Sequence, residues 1–230
     1  MTKQLKIKIA SLVFLIIAIL DVYAVITQHK SLEIICKPLL MTSLVVVYLL
    51  NIKKDKKANF WLISALFFSF WGDVFLLDKN SYFVFGLGCF LIGHLMYIKM
   101  IAVFLTQIRI VEIFKYASIF VVVFLGIFFL IKDNLGEMLL PVLIYGMAII
   151  SGFGTCALLN YQQEKTRPNL WLLLGAILFI ASDSCIALNN FYSSKYIFDI
   201  AIIILYIIAQ YLIVQAIILR EKTFILKNPK

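Results

Sequence analysis

Charged residues are scarce in this chain: they make up 14% of its 230 residues, whereas hydrophobic residues make up 63%. Soluble domains carry about 25% charged and about 45–50% apolar residues, so the composition excludes a soluble enzyme and a disordered chain. The four cysteines show no C-x-x-C spacing and all fall in apolar stretches, which excludes a disulfide scaffold and favours buried thiols. The class that remains is a membrane protein that crosses the bilayer several times.

Residues suited to metal or nucleophile chemistry are equally few. The histidines are His29 and His94, whereas a catalytic zinc ion needs three protein ligands, commonly histidines. The chain has neither the G-x-S-x-G pattern of serine hydrolases nor the G-x-x-x-x-G-K-[ST] pattern of nucleotide-binding loops. An intramembrane aspartyl protease would need G-x-G-D where this chain reads Phe70-Trp71-Gly72-Asp73. We therefore expect neither a metal nor a cofactor.

Long apolar runs, in contrast, are abundant. A helix crosses the hydrocarbon core with roughly 20 apolar residues, and continuous runs favour helices over a β-barrel. None of the loops between the runs exceeds nine residues, so any function must be built among the helices. We predict an all-α, polytopic integral membrane bundle of eight transmembrane helices that forms one domain over residues 1–230. The predicted spans are 9–27, 34–52, 59–77, 82–105, 113–131, 138–160, 170–189 and 199–219.

Basic residues alternate from loop to loop, which predicts the orientation of the bundle. Short loops rich in Lys and Arg lie in the cytoplasm, and one side of this bundle receives far more of them than the other. Both termini are therefore predicted to be cytoplasmic. The richer side receives fifteen: Lys3, Lys6, Lys8, Lys53, Lys54, Lys56, Lys57, Arg109, Lys115, Lys165, Arg167, Arg220, Lys222, Lys227 and Lys230. The other side receives four: Lys30, Lys79, Lys132 and Lys195.

The net charge of +9 is then explained by the cytoplasmic loops, whose basic residues set the topology and contact anionic lipid head groups. We therefore expect no nucleic-acid partner. The N-terminus resembles a signal peptide, with lysines before an apolar run. That run is too long and no small-residue cleavage site follows it, so we expect an uncleaved first span. The chain is predicted to be a multi-pass protein of the bacterial cytoplasmic (inner) membrane.

Five charged side chains fall well inside the predicted spans: Asp21, Lys37, Asp73, Lys99 and Asp183. Each costs at least about 2.5–3.5 kcal/mol near the bilayer centre, so each is a functional candidate. With a rise of about 1.5 Å per residue, all but Lys99 lie in one layer, roughly 5–7 Å to the outer side of the midplane. Lys99 can snorkel to the cytoplasmic interface. The other four either line a polar site or form an ion-pair cluster that fixes helix packing.

Further polar residues accompany these charges at helical spacing. Ser69 lies four residues before Asp73 and therefore on the same face of a helix. Pairs one turn apart or adjacent occur in three other spans and comprise His94 with Tyr97, Ser182 with Asp183, and Tyr206 with Gln210. Intramembrane His and Gln side chains also serve as plain interhelical hydrogen-bond partners, so both roles remain open for them.

A short internal repeat relates the two halves of the chain. Gly72-Asp73 in the third span corresponds to Ser182-Asp183 in the seventh, and the following spans align His94 with Gln210. Pro38 and Pro141 sit early in the second and sixth spans. The pattern predicts two four-helix halves of the same orientation, with the two acids facing each other across the seam, where membrane proteins often place a site.

Two carboxylic acids without a metal suit one kind of chemistry. A carboxyl in an apolar site can stay protonated and act as a general acid, while a second carboxylate stabilises a cation or activates water. Glycosidases use such a pair on an oxocarbenium-like transition state. Hydrolysis of a vinyl ether has the same electronic demand, because protonation of its double bond also creates an oxocarbenium ion.

Several short segments, taken in their order along the chain, resemble the YhhN-type lysoplasmalogenase family, the bacterial relatives of the animal transmembrane lysoplasmalogenases. The resemblance runs from the second span to the last. It is carried by Lys37-Pro38-Leu39, Ser69-Phe70-Trp71-Gly72-Asp73, Leu76-Leu77, Phe83, Gly86, Phe90, His94, Tyr97, Gly175-Ala176, Phe179, Ser182-Asp183, Tyr206 and Gln210-Tyr211-Leu212-Ile213.

The resemblance implies an eight-helix membrane enzyme that hydrolyses the vinyl ether of lysoplasmalogens. The products would be a fatty aldehyde and glycerophosphoethanolamine or glycerophosphocholine, and the partners would be this lysophospholipid and the surrounding membrane lipids. It implies Asp73 and Asp183 as the acidic pair. Asp21 has no support from the resemblance and remains a candidate by depth alone. The implied substrate-binding residues are Lys37, Ser69, His94, Tyr97, Ser182, Tyr206 and Gln210.

Two other classes fit the same pattern. Paired halves and intramembrane acids also suit a proton-coupled transporter or a lipid-binding membrane protein without chemistry. A structural membrane protein with a buried ion-pair cluster is the third reading.

Overall fold

The fold is helical throughout the residues that the structure, a computed structural model, describes: residues 1–53 and 56–227, without the side chains of 79–80 and 224–227. Among the basic residues used above, Lys54 and Lys230 and the side chains of Lys79 and Lys227 lie outside this description. The helices are α1 (Lys3–Ile26), α2 (Lys30–Asn51), α3 (Phe60–Leu76), α4 (Lys79–Ala102), α5 (Ile110–Ile131), α6 (Leu139–Gly146), α7 (Gly154–Gln163), α8 (Arg167–Phe191) and α9 (Tyr196–Lys227).

Shorter elements connect some of these helices. Two 3₁₀ turns, Lys132–Asn134 and Gly136–Met138, lie between α5 and α6. A π-helical segment, Met147–Phe153, joins α6 to α7. The predicted sixth span, 138–160, is therefore an irregular element and not one continuous α-helix. The last helix is also longer than the predicted span 199–219, since α9 begins at Tyr196 and ends at Lys227.

Seven helices in the described part of the chain are long and apolar enough to cross a membrane, with α6, the π segment and α7 counted as one. The predicted third span, 59–77, corresponds to α3, which has 17 residues and falls short of that length. At about 1.5 Å per residue, α3 is about 25 Å long. The all-helical, multi-span prediction is confirmed with seven candidate spans among the described residues, whereas the predicted third span corresponds to this shorter apolar helix.

The bundle exposes apolar side chains on its outside, as expected where lipid surrounds the protein, and its largely apolar interior also holds polar side chains. Large apolar side chains are exposed along most helices, whereas the buried polar side chains collect in the interior. The latter include Asp21, Ser69, Asp73, His94, Thr155, Asn160, Asn169, Ser182, Asp183, Asn189 and Gln210. Because burying a polar group without a partner is costly, this interior is where a function is to be sought.

Two helix pairs, α3–α4 and α8–α9, pack most extensively, and each contains one of the paired acids. Close approach depends on glycine in both. A Cβ at Gly72 would lie 2.7 Å from the Phe90 ring, and one at Gly175 would lie 2.7 Å from Ile213. We call the end of the bundle where α2, α4, α6 and α9 begin the upper end, and the opposite end the lower end.

Candidate active site

A polar cavity of about 450 Å³ opens at the upper end of the bundle. Its lining comes from α1, α2, α3, α4, α8 and α9 and contains both Asp73 and Asp183. The polar cavity is acidic, with five carboxyl groups and two lysines among its lining residues. Those polar residues are Gln28, Lys30, Glu33, Lys37, Asp73, Asp78, Ser182, Asp183, Tyr196, Asp199 and Tyr206.

Asp183 is held by two aromatic partners from other helices. The Tyr145 hydroxyl of α6 donates to Asp183 Oδ2 at 3.1 Å. His94 Nε2 of α4 lies 3.5 Å from the same oxygen. The His94 ring itself is fixed by Phe179 and Phe153, with centroid distances of 4.4 and 5.3 Å. One oxygen of the Asp183 carboxyl, Oδ2, therefore contacts protein groups, and Asp183 also borders the polar cavity.

The other nitrogen of His94 determines where its proton sits. Nδ1 lies 2.7 Å from the Phe90 carbonyl oxygen, which can only accept, so Nδ1 carries a hydrogen. In the neutral ring Nε2 then presents its lone pair to Asp183. Two lone pairs facing each other repel, so the His94–Asp183 contact is favourable only with a further proton between the two groups. The pair is suited to hold a proton beside the cavity.

Asp73 has a different partner. The Tyr206 hydroxyl of α9 donates to Asp73 Oδ2 at 2.8 Å, and both residues are buried. The Tyr206 ring packs edge-on against Phe90 and Phe179, at centroid distances of 5.9 and 5.3 Å. A hydroxyl that donates to a carboxylate stabilises its negative charge, as the Tyr145 hydroxyl also does at Asp183. The two acids differ in that His94 lies beside Asp183.

Four of the predicted substrate-binding residues lie below the polar cavity and do not line it. Tyr97 donates to Gln210 Oε1 at 2.5 Å, and Gln210 Nε2 donates to Ser69 at 3.1 Å. This chain joins α4, α9 and α3. His94, the fourth, reaches the site through Asp183.

The three predicted residues that do line the cavity are Lys37, Ser182 and Tyr206. Lys37 forms an ion pair with Glu33 one turn earlier on α2. The Ser182 hydroxyl donates to the Ile202 carbonyl at 3.0 Å and so ties α8 to α9. Lys37 keeps donors for a ligand, because an ammonium has three.

An apolar groove adjoins the polar cavity. It runs between α4, α5, α6 and α8, and its lining is apolar apart from Tyr145, Asp183 and Ser184. The apolar residues at its far end come from α5 and include Ile127, Phe128 and Ile131. Asp183 borders both spaces. A molecule with a polar head and a hydrocarbon chain would therefore place the junction of the two parts near this acid.

The remaining intramembrane charges fall outside this arrangement. Asp21 is fully buried on α1, and neither of its carboxylate oxygens has a hydrogen-bond partner among the described residues. Lys99 is exposed in the last turn of α4, as the snorkelling prediction requires. The described residues include no group of three or more His, Cys, Asp or Glu side chains placed to hold a metal ion.

Sequence reasoning missed several residues of the site. Tyr145 lies in an apolar run, and nothing in its spacing singles it out among 11 tyrosines. Glu33 and Asp199 lie near predicted span ends, where charge is ordinary. Asp199 accepts from Asn189 at 3.0 Å at the cavity mouth. A search for acids one turn from Lys37 would have found Glu33.

Comparisons with known proteins bear on the whole arrangement. The YhhN family model matches residues 32–217, which include all the residues that line the polar cavity except Val25, Gln28 and Lys30. Two curated relatives named lysoplasmalogenase, from Mycobacterium bovis and Mycobacterium tuberculosis, are each 33% identical over 144 residues. The match covers 57% of this chain and 50% of each relative, so the chain spans about half the length of the curated relatives it matches. No solved structure matches the chain. With the family model extending over most of its length, the chain belongs to the YhhN family.

Proposed function

We propose that the protein is a membrane hydrolase that cleaves the vinyl ether bond of lysoplasmalogens. The observation that carries the proposal is the position of Asp183, which borders both the polar cavity and the apolar groove. In a lysoplasmalogen the vinyl ether joins the polar head to the hydrocarbon chain, so the scissile bond would lie beside this acid. The name of the mycobacterial relatives supports the same assignment.

The two acids would divide the chemistry between them. Asp183, with the proton it shares with His94, would protonate the vinyl carbon farther from oxygen, which leaves an oxocarbenium ion at the other carbon. Asp73 would stabilise that cation and take a proton from the water that adds to it. The hemiacetal then collapses: the glycerol oxygen receives the proton held by Asp73, and the hemiacetal hydroxyl returns one to Asp183. The products are an aldehyde and a free glycerol hydroxyl, and both acids are restored.

The charges of the polar cavity suit a zwitterionic head group. Lys30 and Lys37 would bind the phosphate, and the carboxylates of Asp78 and Asp199 at the mouth would attract the ammonium of ethanolamine or choline. The first carbons of the alkenyl chain would lie in the apolar groove, which has a volume of about 50 Å³, and the rest of the chain would continue into the surrounding lipid. Ser69, Tyr97 and Gln210 would fix α3, α4 and α9 beneath the reacting atoms.

The proposed topology places this cavity on the outer side of the cytoplasmic membrane. It rests on eight crossings, with α3 as the shortest, and on the basic loops at the lower end, where both termini lie. A single-chain lipid could then reach the site from the outer half of the bilayer.

The direct test is aldehyde release from lysoplasmenylethanolamine by the purified protein in detergent. Asp73→Asn and Asp183→Asn are each expected to lose at least about a hundredfold in kcat, since general acid–base groups contribute about 10²–10⁴-fold. Asp133→Asn is the matched control, because Asp133 is exposed at the same end and outside both spaces. No aldehyde from wild type, or full activity in both variants, would contradict the proposal.

The same assay separates hydrolysis from transport. A transporter needs two compartments to show activity, whereas an enzyme releases product in detergent. Binding of the lysolipid without turnover in detergent, together with uptake into proteoliposomes, would favour the transporter.

A further inference from the structure

A second large cavity, of about 600 Å³, lies at the lower end, away from both acids. We call it the basic cavity. The start of α1, the ends of α2, α4 and α9, and the loop before α3 surround it. Six of its described lining residues are basic and one is acidic. The basic ones are Lys3, Lys53, Lys56, Lys57, Arg220 and Lys222.

The single acid, Glu221, is already engaged. The hydroxyl of Tyr48, a fully buried side chain, donates to Glu221 Oε1 at 2.8 Å and accepts from the Asn59 backbone N–H at 2.8 Å. These contacts fix the acid in the wall between α2, α9 and the start of α3. Positive charge is therefore in strong excess among the described lining residues, and such an excess attracts an anion.

Hydrogen bonds to neutral groups fix three of the cations, and Arg220 also interacts with the charge of Glu164. Lys3 donates to the Ile52 carbonyl at 2.5 Å, Lys222 to Asn51 at 3.1 Å, and Arg220 to Asn169 at 2.5 Å. An ammonium has three donors and a guanidinium five, so each keeps donors for a ligand after these bonds. The site is built before a ligand arrives, which lowers the entropic cost of binding.

Apart from Asn51 and Asn59, the rest of the described lining is apolar. Ile7, Val103, Phe104, Ile217 and Ile218 form this part of the wall, and the Arg220 guanidinium lies 3.9 Å above the Phe104 ring. Lysines whose only role is to fix the membrane topology would not need apolar side chains beside them. A ligand that satisfies both parts carries an anionic head and a hydrocarbon tail.

We propose that the basic cavity binds an anionic phospholipid, with the phosphate among the lysines and the first part of the acyl chains against Phe104 and Ile218. The site is separate from the polar cavity, and the proposal stands whether or not the chain hydrolyses lysoplasmalogens. Binding would tie together the ends of α1, α2, α4 and α9 and stabilise the bundle.

The test is a lipid titration of the full-length protein in detergent, followed by thermal unfolding and native mass spectrometry. Phosphatidylglycerol is expected to bind and to raise Tm, whereas phosphatidylethanolamine with the same chains is not. The triple variant Lys53→Gln, Lys57→Gln, Lys222→Gln should bind phosphatidylglycerol about a hundredfold more weakly, at about 1 kcal/mol per lysine.

The matched control is Lys8→Gln, Lys115→Gln, Lys165→Gln, which removes the same charge outside the cavity lining and should change affinity less than about threefold. An equal loss of phosphatidylglycerol affinity in the control variant would overturn the proposal, because it would mean that the lipid is attracted by positive charge anywhere on this side of the protein. Equal binding of phosphatidylethanolamine, or equal protection by inorganic phosphate alone, would overturn it as well. Photoreactive phosphatidylglycerol, used on wild type, should label residues 1–7, 51–53, 56–59 and 217–222, and labelling of distant helices alone would reject the site without any variant.

Discussion

The Tyr206 hydroxyl gives the sharpest prediction at the scale of single residues. Tyr206→Phe removes the hydrogen bond to Asp73 and leaves the ring packing in place. We expect kcat to fall by about 10–100-fold, because the carboxylate loses a donor that stabilises its charge. The kcat of both proteins is measured from aldehyde release over a range of substrate concentrations.

Tyr97→Phe is the companion variant. Tyr97 is also fully buried and also donates to another helix, but it lies outside the polar cavity. Its loss should lower stability by about 1–3 kcal/mol, since Gln210 Oε1 is left without a donor, with a smaller effect on kcat. If the two variants lose kcat equally, the Tyr206 contact has no special part in the reaction.

Asp21 is expected to be dispensable for catalysis. Its carboxyl is fully buried with both oxygens unpartnered among the described residues, and replacing such a group by an apolar one of similar size is often stabilising. Asp21→Leu should raise Tm by about 2–4 °C for each kcal/mol gained and keep aldehyde release within about threefold of wild type. A loss as large as that of Asp73→Asn would instead place Asp21 in the active site.

The sequence singled out those residues whose charge is unusual inside an apolar span. Asp73, Asp183 and Lys37 are charges in apolar spans, which is costly enough to single them out. Tyr145 is compatible with any apolar helix, so its contact with Asp183 depends on the tertiary packing alone. The pairing of Lys37 with Glu33 was readable from the spacing of four residues but was not predicted.

The α3–α4 pair gives a test at the scale of elements. A Cβ on Gly72 would lie 2.7 Å from the Phe90 ring, and that ring is held between Phe179 and Tyr206. Gly72→Ala should therefore destabilise the protein by about 1–3 kcal/mol and reduce activity, because Asp73 is the next residue.

Gly88→Ala is the control on α4, since a Cβ there would meet nothing within 4 Å. Alanine favours a helix by up to about 1 kcal/mol over glycine, so this variant should be neutral or slightly more stable. Thermal unfolding in one detergent measures both. The same loss of Tm in the two variants would show that helix packing at Gly72 is not the cause.

The π segment inside the sixth predicted span was not predicted from the sequence. Hydropathy finds the apolar stretch 138–160 but is insensitive to whether its turns are α or π. In the structure, Phe120 and Phe124 of α5 pack directly on Gly154 and Gly146 at the two ends of Met147–Phe153. The segment also contains Phe153, which packs on His94. Interruptions of this kind are frequent at functional sites, and their position depends on neighbours distant in sequence.

At the scale of the whole molecule, orientation is the main prediction to check. In a variant without native cysteines, Lys195→Cys should react with a membrane-impermeant maleimide in intact cells. Lys165→Cys should react only after permeabilisation, because basic loops stay in the cytoplasm. The opposite pattern would invert the topology and place the polar cavity on the cytoplasmic side.

Much of the overall arrangement followed from the sequence. The apolar runs predicted a bundle of membrane-spanning helices, and seven described helices are long and apolar enough for that. The shared layer of four charges and the two four-helix halves stay predictions, although α3–α4 and α8–α9, which carry the two acids, are the pairs that pack most extensively. The two cavities were not predicted, because empty space depends on how side chains from six helices fit together.

The length of α3 has a further consequence for the lipid around the protein. In the proposed eight-span topology, a helix of about 25 Å is shorter than the hydrocarbon core of about 30 Å, and a thinner bilayer beside it is one way to match the two. Asp73 lies in the last turn of this helix, and thinning brings the outer lipid–water interface down toward it. The proposed hydrolysis should therefore respond to acyl-chain length, with faster turnover in thin bilayers than in thick ones, so that membrane thickness would regulate the proposed activity.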